Sequence, residues 1–248
     1  MILGKRGDGK SSSCNTIFGE KLFTVISSPS STSDACEVET RIVNGKKLKV
    51  IDTPGFFDPD LSDDKLKQAI EKSVTPFRVD VFIIVLRVRL CTVQEADIIE
   101  KVVVMFGEDV LKSTVVLFTH GDQLDDEQTI EDFVEKNSVL KDFVEKCGGR
   151  CHVLDNKYWN QQKEGYRSNS VQAEKLLNTI EKMVGENKGE CSTIDMSQNE
   201  EEEQNLLPGS RPRSTTSRNA AEILRPFTGA IRRIIDCIVR FFLCNRGS

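Results

Sequence analysis

Eight residues near the start of the chain have the types and spacing of a phosphate-binding loop. The stretch GKRGDGKS, residues 4–11, matches the pattern G-x-x-x-x-G-K-[ST]. In such a loop glycines let consecutive backbone N–H groups point at a phosphate, a lysine reaches the terminal phosphate oxygens, and a hydroxyl completes the coordination of Mg²⁺. We therefore expect Lys10 to contact phosphate and Ser11 to bind Mg²⁺ as well as phosphate. The other residues that we expect to line this cradle are Gly4, Gly7, Asp8, Gly9 and Ser12.

The segments on either side of the loop predict its structural setting. Residues 11–18 contain neither glycine nor proline, and Gly19 follows where a helix-ending glycine is expected. Only three residues precede Gly4, whereas strands usually run about five or six residues. We therefore expect a truncated first strand, in a chain that is a fragment or whose true start lies upstream of Met1.

The alternation of apolar and amphipathic segments predicts the fold class. Buried-strand patterns occur at 48–51, 81–86, 115–118 and 152–154, and helical patterns lie between and after them. One helical pattern covers 93–106, where Thr92 and Glu95 have the spacing of a capping box. Strand and helix alternation with buried strands predicts an α/β domain with a mostly parallel central sheet flanked by helices. Ligands of such domains bind at the carboxyl ends of the strands.

Charge and composition divide the chain of 248 residues into three parts. Residues 205–248 hold eight arginines, no lysine and two acidic residues, a net charge of +6, whereas the rest carries −11. An acidic body argues against nucleic acid as a partner, and the arginine-rich end indicates an anionic surface. We expect a globular domain over 1–185, a flexible acidic and Arg-Pro-Ser linker over 186–219, and a basic amphipathic helical tail over 220–248. The eight cysteines form no C-x-x-C pair and no signal peptide is evident, so we expect reduced thiols and a cytoplasmic protein.

A second motif, DTPG, follows the strand that ends near Ile51. A carboxylate at a strand end, here Asp52, can hold Mg²⁺ through water, and Gly55 can present its N–H to a γ-phosphate. D-x-x-G is also a common turn. Its position about 40 residues after the phosphate loop, directly after an apolar strand, favours a nucleotide switch.

A third motif, THGD, follows another apolar strand and ends at Asp122. Guanine presents two adjacent donors, N1–H and N2–H₂, which one carboxylate can accept together and which adenine lacks. We expect Asp122 to select guanine, although a loop aspartate in a G-D turn is the alternative. His120 is then expected to lie flat on the base, and Asn156, after the last strand, to bond the purine O6. Tyr158 and Trp159 either wall this pocket or belong to the packing.

At this point the sequence resembles the AIG-type GTPases, the immunity-associated GIMAP family. The matching stretches are GKRGDGKSSSCNTIFG, KVIDTPGFFD, VDVFIIVLRVRLCTVQEADIIEKVVVMFGEDVLKSTVVLFTHGDQL and HVLDNK. The resemblance implies a Ras-like P-loop fold and binding of GDP and GTP with Mg²⁺, with the residue roles given above. It also implies a homodimer or oligomer that forms through the switch surfaces when GTP is bound, often on intracellular membranes.

The first switch region departs from the family pattern, in which a threonine binds Mg²⁺. This region is SPSSTSDAC, residues 28–36, and both Thr32 and Ser33 compete for the role. We leave both open.

The residue after D-x-x-G bears on GTP hydrolysis. Many GTPases place a glutamine there to orient the attacking water, whereas this chain has Phe56 followed by Phe57. No catalytic residue or arginine finger can be assigned, so we expect weak intrinsic hydrolysis that a partner or self-association raises. Two functions are compatible with this: a slow GTPase switch, or a GTP-stabilised scaffold in which turnover matters little, which Phe56 favours. A P-loop ATPase is the third alternative, and Asp122 argues against it.

The tail predicts a basic amphipathic helix over 227–244, with isoleucines and phenylalanines at helical spacing. Asp236 and Arg240 interrupt the apolar run well before the ~20 residues that a membrane span needs. This helix either lies in a membrane interface, where Cys237 and Cys244 are candidate palmitoylation sites, or packs on the globular domain.

We predict that replacing Ile234 and Ile238 by Asp abolishes binding to anionic liposomes, because it places two charges on the apolar face of the tail helix. Liposome co-sedimentation of the wild type and the double variant measures this. Equal binding of the two proteins would exclude the membrane-interface interpretation. Packing of the helix on the globular domain would then be the remaining interpretation.

Overall fold

The computed structural model describes residues 1–25, 35–74, 78–89 and 93–187, with only the backbone for 93–96 and 187. All of these residues fall within one compact unit, Met1–Thr193. Several predictions therefore concern positions or side chains that are not described: Thr32 and Ser33 of the first switch, the capping-box side chains of Thr92 and Glu95, and the linker and tail beyond 187.

One six-stranded sheet, in the order β2-β3-β1-β4-β5-β6, forms the centre of the domain. Its strands are β1 (Ile2–Gly4), β2 (Glu37–Val43), β3 (Lys46–Asp52), β4 (Phe82–Arg87), β5 (Thr114–Thr119) and β6 (Cys151–Val153). All neighbouring pairs are parallel except β2 with β3, which a two-residue Asn44-Gly45 turn joins as a hairpin. Both turn residues have positive φ, 51° and 75°, as a type I′ turn requires. The predicted, mostly parallel α/β sheet is confirmed.

The first strand is as short as the sequence predicts, and it lies in the middle of the sheet. Ile2 pairs with Asp52 of β3 on one side and with Ile83 of β4 on the other. Gly4 ends the strand with φ at 150°, and a Cβ there would come within 2.6 Å of the carbonyl oxygen of Val85. Only glycine therefore lets the chain leave β1 so close to β4.

Within the described ranges, six α-helices cover the sheet: α1 (Lys10–Phe18), α2 (Asp63–Val74), α3 (Val93–Phe106), α4 (Ile130–Glu135), α5 (Ser138–Lys146) and α6 (Asn169–Asn187). Helix α1 ends as predicted, because Gly19 adopts the left-handed conformation and its N–H bonds the carbonyl of Thr16. No helix that the structure describes is long and apolar enough to cross a membrane.

The core is packed against both faces of the sheet. On one face, apolar side chains of α1 and α6, among them Ile17 and Leu176, join strand residues such as Val85 and Leu117. The other face carries the contact between Phe82 and Phe106 of α3, with ring centroids 4.9 Å apart. Every residue of β5 is buried, and so is nearly all of β4, which explains their continuous apolar runs. This packing fixes the strand ends that carry the predicted motifs.

A half-buried histidine lies where β6 meets α6. The Nε2 of His152 is hydrogen-bonded to Oγ1 of Thr179 at 2.9 Å. Burial, with a smaller contribution from the charge of Lys175, lowers the pKa of His152 to about 4. The folded protein thus holds this imidazole neutral over a range in which an unfolded chain binds a proton.

We predict that stability falls by about 2 kcal/mol between pH 7 and pH 5 because of His152, whose pKa is about 4 when folded and 6.5 for an ordinary histidine. Stability decreases toward low pH because the unfolded state binds a proton at His152 that the folded state does not bind. Urea unfolding at the two pH values should show most of this loss in the wild type and in His120→Gln but not in His152→Gln. Unchanged pH dependence in His152→Gln would contradict the assignment.

Candidate functional site

The loop between β1 and α1 forms a cradle at the carboxyl edge of the sheet. Gly7 and Gly9 both have positive φ, 83° and 88°, and Gly9 is the residue that caps α1. No side chain caps this helix, so the first N–H groups of α1 are available to an anion, which the helix dipole also attracts. The Nζ of Lys10 lies across the loop and donates to the carbonyl of Lys5 at 3.2 Å. Burial lowers the pKa of Lys10, while the charges of Asp52 and Asp8 oppose this.

Asp8 occupies an unexpected place in this loop. Its side chain is only 3% exposed and forms an ion pair with Arg87, whose Nε lies 3.1 Å from Oδ1 of Asp8. Arg87, the last residue of β4, also donates through Nη2 to the carbonyl of Gly7. The carbonyl of Asp8 accepts from Oγ1 of Thr119 at 2.8 Å. The guanidinium thus compensates a carboxylate within a loop of anion-binding geometry, and it ties that loop to β4.

The predicted metal ligands come together at the start of α1. The hydroxyl of Ser11 donates to Oδ2 of Asp52 at 2.5 Å. The other carboxylate oxygen of Asp52, Oδ1, is buried with no hydrogen-bond partner among the described residues. Burial raises the pKa of Asp52, against the hydrogen bond from Ser11 and the charge of Lys10. A buried carboxylate with one unsatisfied oxygen beside a hydroxyl fits Mg²⁺, which binds few protein oxygens and completes its shell with water and phosphate.

The D-x-x-G segment lies directly against the phosphate loop. A Cβ on Gly55 would come within 2.4 Å of the backbone nitrogen of Arg6. Phe56 continues this contact, because its N–H bonds the carbonyl of Gly4 and its carbonyl accepts from Arg6 N–H. The Phe56 side chain is 1% exposed, which makes it part of the core beneath the D-x-x-G segment.

An ion pair links the same two segments. Nη1 of Arg6 lies 2.9 Å from Oδ1 of the buried Asp58 and 3.5 Å from Oδ2 of Asp60. Phe57 has a positive φ of 57°, and the ammonium of Lys101 lies 4.3 Å from the centre of its ring. The segment after Gly55 is thus held by both side chains and backbone.

A buried carboxylate that we did not predict, Asp155, organises the loops after β5 and β6. Its Oδ1 accepts the backbone N–H groups of Lys157, at 2.9 Å, and Tyr158. Its Oδ2 accepts the N–H of Asp122 at 3.4 Å. Burial acts to raise the pKa of Asp155, but hydrogen bonds from Asp122 and these backbone groups outweigh it and lower the pKa. The side-chain hydrogen bond to Asp155 raises the pKa of the exposed Asp122.

Asn156 joins the last of these loops to α1. Its Nδ2 donates to Oγ of Ser13 at 3.1 Å, and its Oδ1 accepts from Oγ1 of Thr16 at 2.8 Å. A Cβ on Gly9 would lie 3.2 Å from the same Nδ2. Asn156 therefore reaches the phosphate loop, and its role in contacting a base stays a prediction.

The contacts and burial of His120, Tyr158 and Trp159 show which of these residues belong to the internal packing. His120 has a left-handed backbone, φ 60°, and its Nδ1 is hydrogen-bonded to Oγ1 of Thr119 at 3.0 Å. Burial and the charge of Arg87 lower its pKa, which keeps the ring neutral. Trp159 is buried against Gly121, where a Cβ would come within 2.5 Å of the indole. Trp159 therefore belongs to the packing, while Tyr158 is exposed.

The structure brings most of the predicted residues to one edge of the sheet. The loop residues, Asp52 and Gly55 lie together, and Asn156 links them to the strand ends that carry His120 and Asp122. Sequence reasoning missed Arg6, Arg87 and Asp155. The available signal for Arg87 and Asp155 was a charged residue at the end of an apolar strand. No local sequence pattern indicated that Arg6 pairs with Asp58.

A family model for the AIG1 family matches residues 1–210. The chain belongs to the AIG1 family. The resemblance to AIG-type GTPases is therefore confirmed. The chain is 28% identical over 203 residues to immune-associated nucleotide-binding protein 7 of Arabidopsis thaliana, covering 79% of this chain and 63% of that protein. It is 32% identical over 190 residues to GTPase IMAP family member 8 of Mus musculus, covering 75% of this chain and 26% of that protein.

This AIG1 chain thus spans less than two thirds of the length of either relative. Among solved structures, it resembles Toc33 from Arabidopsis thaliana in complex with GDP and Mg²⁺, with a TM-score of 0.61 and 20% identity over 75% of this chain and 83% of that chain. This likeness shows the fold, which is Ras-like as predicted.

We predict that Arg87→Met destabilises the protein by about 2 kcal/mol, because it removes the guanidinium beside the buried Asp8. Asp8→Asn in the same chain should recover about half of that loss, so that the two changes are not additive. Urea unfolding of the four members of this cycle gives the coupling. Arg78→Met, in an exposed ion pair with Asp80, is the control and should cost less than about 0.5 kcal/mol. Additive effects of the two site changes would contradict the pairing.

Proposed function

We propose that this chain binds GDP and GTP together with Mg²⁺. One observation carries the proposal: a phosphate-type loop, a buried carboxylate with an unsatisfied oxygen and a guanine-type aspartate converge at one edge of the sheet. The names of its relatives, a GTPase and a nucleotide-binding protein, support it.

The phosphates would lie over the loop and the start of α1. Glycine backbone N–H groups and the helix N-terminus supply donors there, and Lys10 exchanges its bond to the Lys5 carbonyl for phosphate oxygens. Ser11 and Asp52 would hold Mg²⁺, which neutralises phosphate charge when bound. Gly55 lies against the loop, and its N–H would donate to the γ-phosphate.

The base would lie between the loops after β5 and β6. In this position Asp122 accepts the two guanine donors as a carboxylate and releases its hydrogen bond to Asp155. Its pKa is raised, so protonation begins at a higher pH than for an ordinary aspartate. Guanine affinity should therefore weaken as the solution becomes mildly acidic.

We predict about 10- to 100-fold weaker binding of fluorescent GDP by Lys10→Ala and Asp122→Ala, since each loses charge-assisted hydrogen bonds of about 1.5–3 kcal/mol. The wild type should bind GDP and GTP far more tightly than ADP. Exposed residues of the same types give matched controls, Lys112→Ala and Asp126→Ala, which should bind like the wild type. Equal affinity of the wild type for ADP and GDP would refute the proposal.

The variant Asp122→Asn tests the base contact by a gain of binding. An amide presents one acceptor and one donor, which match N1–H and the C2 carbonyl of xanthine instead of the two guanine donors. This variant should lose GDP and gain xanthosine diphosphate. A misfolded protein would gain neither, so the exchange of specificity isolates the role of Asp122.

Hydrolysis is proposed to be slow, on the order of 10⁻³ s⁻¹ or less, as in GTPases that await a partner's arginine. The buried Phe56 supports this, because the residue after Gly55 cannot orient water from within the core. A scaffold held by bound GTP is the second candidate function, and the same residue favours it. Phosphate release measured across protein concentrations separates the two. Turnover that rises steeply with concentration indicates a switch completed by self-association, and slow turnover throughout indicates the scaffold.

Nucleotide-dependent dimerisation and attachment to intracellular membranes complete the proposal. Two related structures support the first: one is a dimerisation-deficient mutant of Toc33, and the other concerns the importance of dimerisation for the GTPase activity of chloroplast translocon components. The amphipathic pattern of 227–244 supports the second. We therefore propose that the protein is cytoplasmic and binds peripherally to intracellular membranes.

A further inference from the structure

The outer edge of β2 is exposed and carries apolar side chains. Within the part of the chain that the structure describes, β2 pairs only with β3 and ends the sheet. Val38 is 39% exposed and Ile42 is 77% exposed. Both lie on the same face of the strand, because side chains alternate along it. A seven-residue edge strand with apolar residues is a template for pairing with another strand.

The hairpin register determines which backbone groups point outward. The two-residue turn closes on the pair Val43 and Lys46, so alternate residues from Val43 backward are bonded to β3. The N–H and C=O groups of Val38, Thr40 and Ile42 therefore face the open edge. Consistent with this, the Thr40 carbonyl accepts a hydrogen bond from Nη1 of Arg41, at 2.8 Å, and not from a strand.

The sequence of this edge, EVETRIV, is complementary to itself when run antiparallel. With a two-fold axis at Thr40, each Val38 lies opposite Ile42 of the other copy, and each Glu39 lies opposite Arg41. The outward-facing residues then form the hydrogen-bonded pairs. Glu39 and Arg41 fall at the non-hydrogen-bonded pairs, where side chains are closest. Backbone pattern, charge and apolar contacts thus all match in this one register.

We propose that two copies of this chain pair through β2 in this register, forming a continuous twelve-stranded sheet from two sheets of six strands. Six backbone hydrogen bonds, two apolar contacts and two ion pairs join the copies. In the single chain Arg41 already lies 3.1 Å from Glu39 of its own strand, so both charges are held at the edge. The contact is small, which makes this a weak and concentration-dependent dimer.

This interface differs from dimerisation through the nucleotide site. The pairing residues lie on β2, and none of them is among the residues that form the phosphate loop, the D-x-x-G segment or the base loops. The β2 dimer therefore forms without added nucleotide, and failure of nucleotide binding would leave it intact.

Charge variants at positions 39 and 41 test the pairing. A mixture of two such variants distinguishes ion pairs between copies from ion pairs within one chain. Arg41→Glu alone places Glu opposite Glu across the axis, and Glu39→Arg alone places Arg opposite Arg. Each should shift sedimentation from dimer toward the 27.9 kDa monomer, at least tenfold in Kd. An equimolar mixture restores opposite charges at both positions and should dimerise like the wild type. Lys112→Glu, a reversal at an exposed site outside β2, is the control.

A cysteine at the axis gives a second measurement. Across a hydrogen-bonded antiparallel pair the Cα atoms lie about 5.5 Å apart, within disulfide range. Thr40→Cys should therefore cross-link under mild oxidation well above the wild-type level, and Ile42→Cys, which faces Val38, should not. A monomeric wild type at high concentration, a mixture of charge variants that stays monomeric, or equal cross-linking by both cysteine variants would each overturn the proposal.

Discussion

The loop after β1 is anchored to three neighbouring strand ends, and the site depends on this anchoring. The Gly4 carbonyl accepts from Phe56 after β3, Arg87 at the end of β4 holds Gly7 and Asp8, and Thr119 at the end of β5 bonds the Asp8 carbonyl. A loop rich in glycine has high conformational entropy when free. Contacts from three strands offset that entropy and keep the backbone N–H groups in place before any ligand binds.

Three of the buried carboxylates at this edge are compensated in three different ways. Asp8 has a guanidinium, and Asp155 has backbone N–H groups. Asp52 has the Ser11 hydroxyl on one oxygen, while the other lacks a partner among the described residues. Because an uncompensated buried charge is costly, Asp52 is the position at which a cation is most favourable. The same electrostatic rule thus favours structural roles for Asp8 and Asp155 and supports the proposed metal-binding role of Asp52.

The two proposed modes of self-association use opposite properties of the fold. At the proposed nucleotide site, association would depend on the ligand held by the loops at the carboxyl ends of the strands. At β2, the proposed contact is between backbones, and the β2–β3 hairpin register set by the Asn44-Gly45 turn determines which backbone groups face the partner. A chain with both surfaces has one association that responds to nucleotide and one that responds to its own concentration.

The sequence by itself determined much of this protein. Glycine, lysine and serine spacing identified the loop and its helix, Gly19 set the end of α1, and continuous apolar runs located the buried strands. These features follow from local backbone preferences and periodic burial, which act over a few residues. The family resemblance rested on the same motifs and proved correct.

Only the tertiary structure decided which distant residues meet. The pairs Arg6 with Asp58, Asp8 with Arg87, and Asn156 with the hydroxyls of α1 join segments that are 52 to 143 residues apart. Their contacts depend on the strand order β2-β3-β1-β4-β5-β6, which puts β1 between β3 and β4. No local pattern encodes that order, because it results from how whole strands and helices bury their apolar faces together. For the same reason Trp159, ambiguous in the sequence, became a packing residue only once Gly121 was placed beside it.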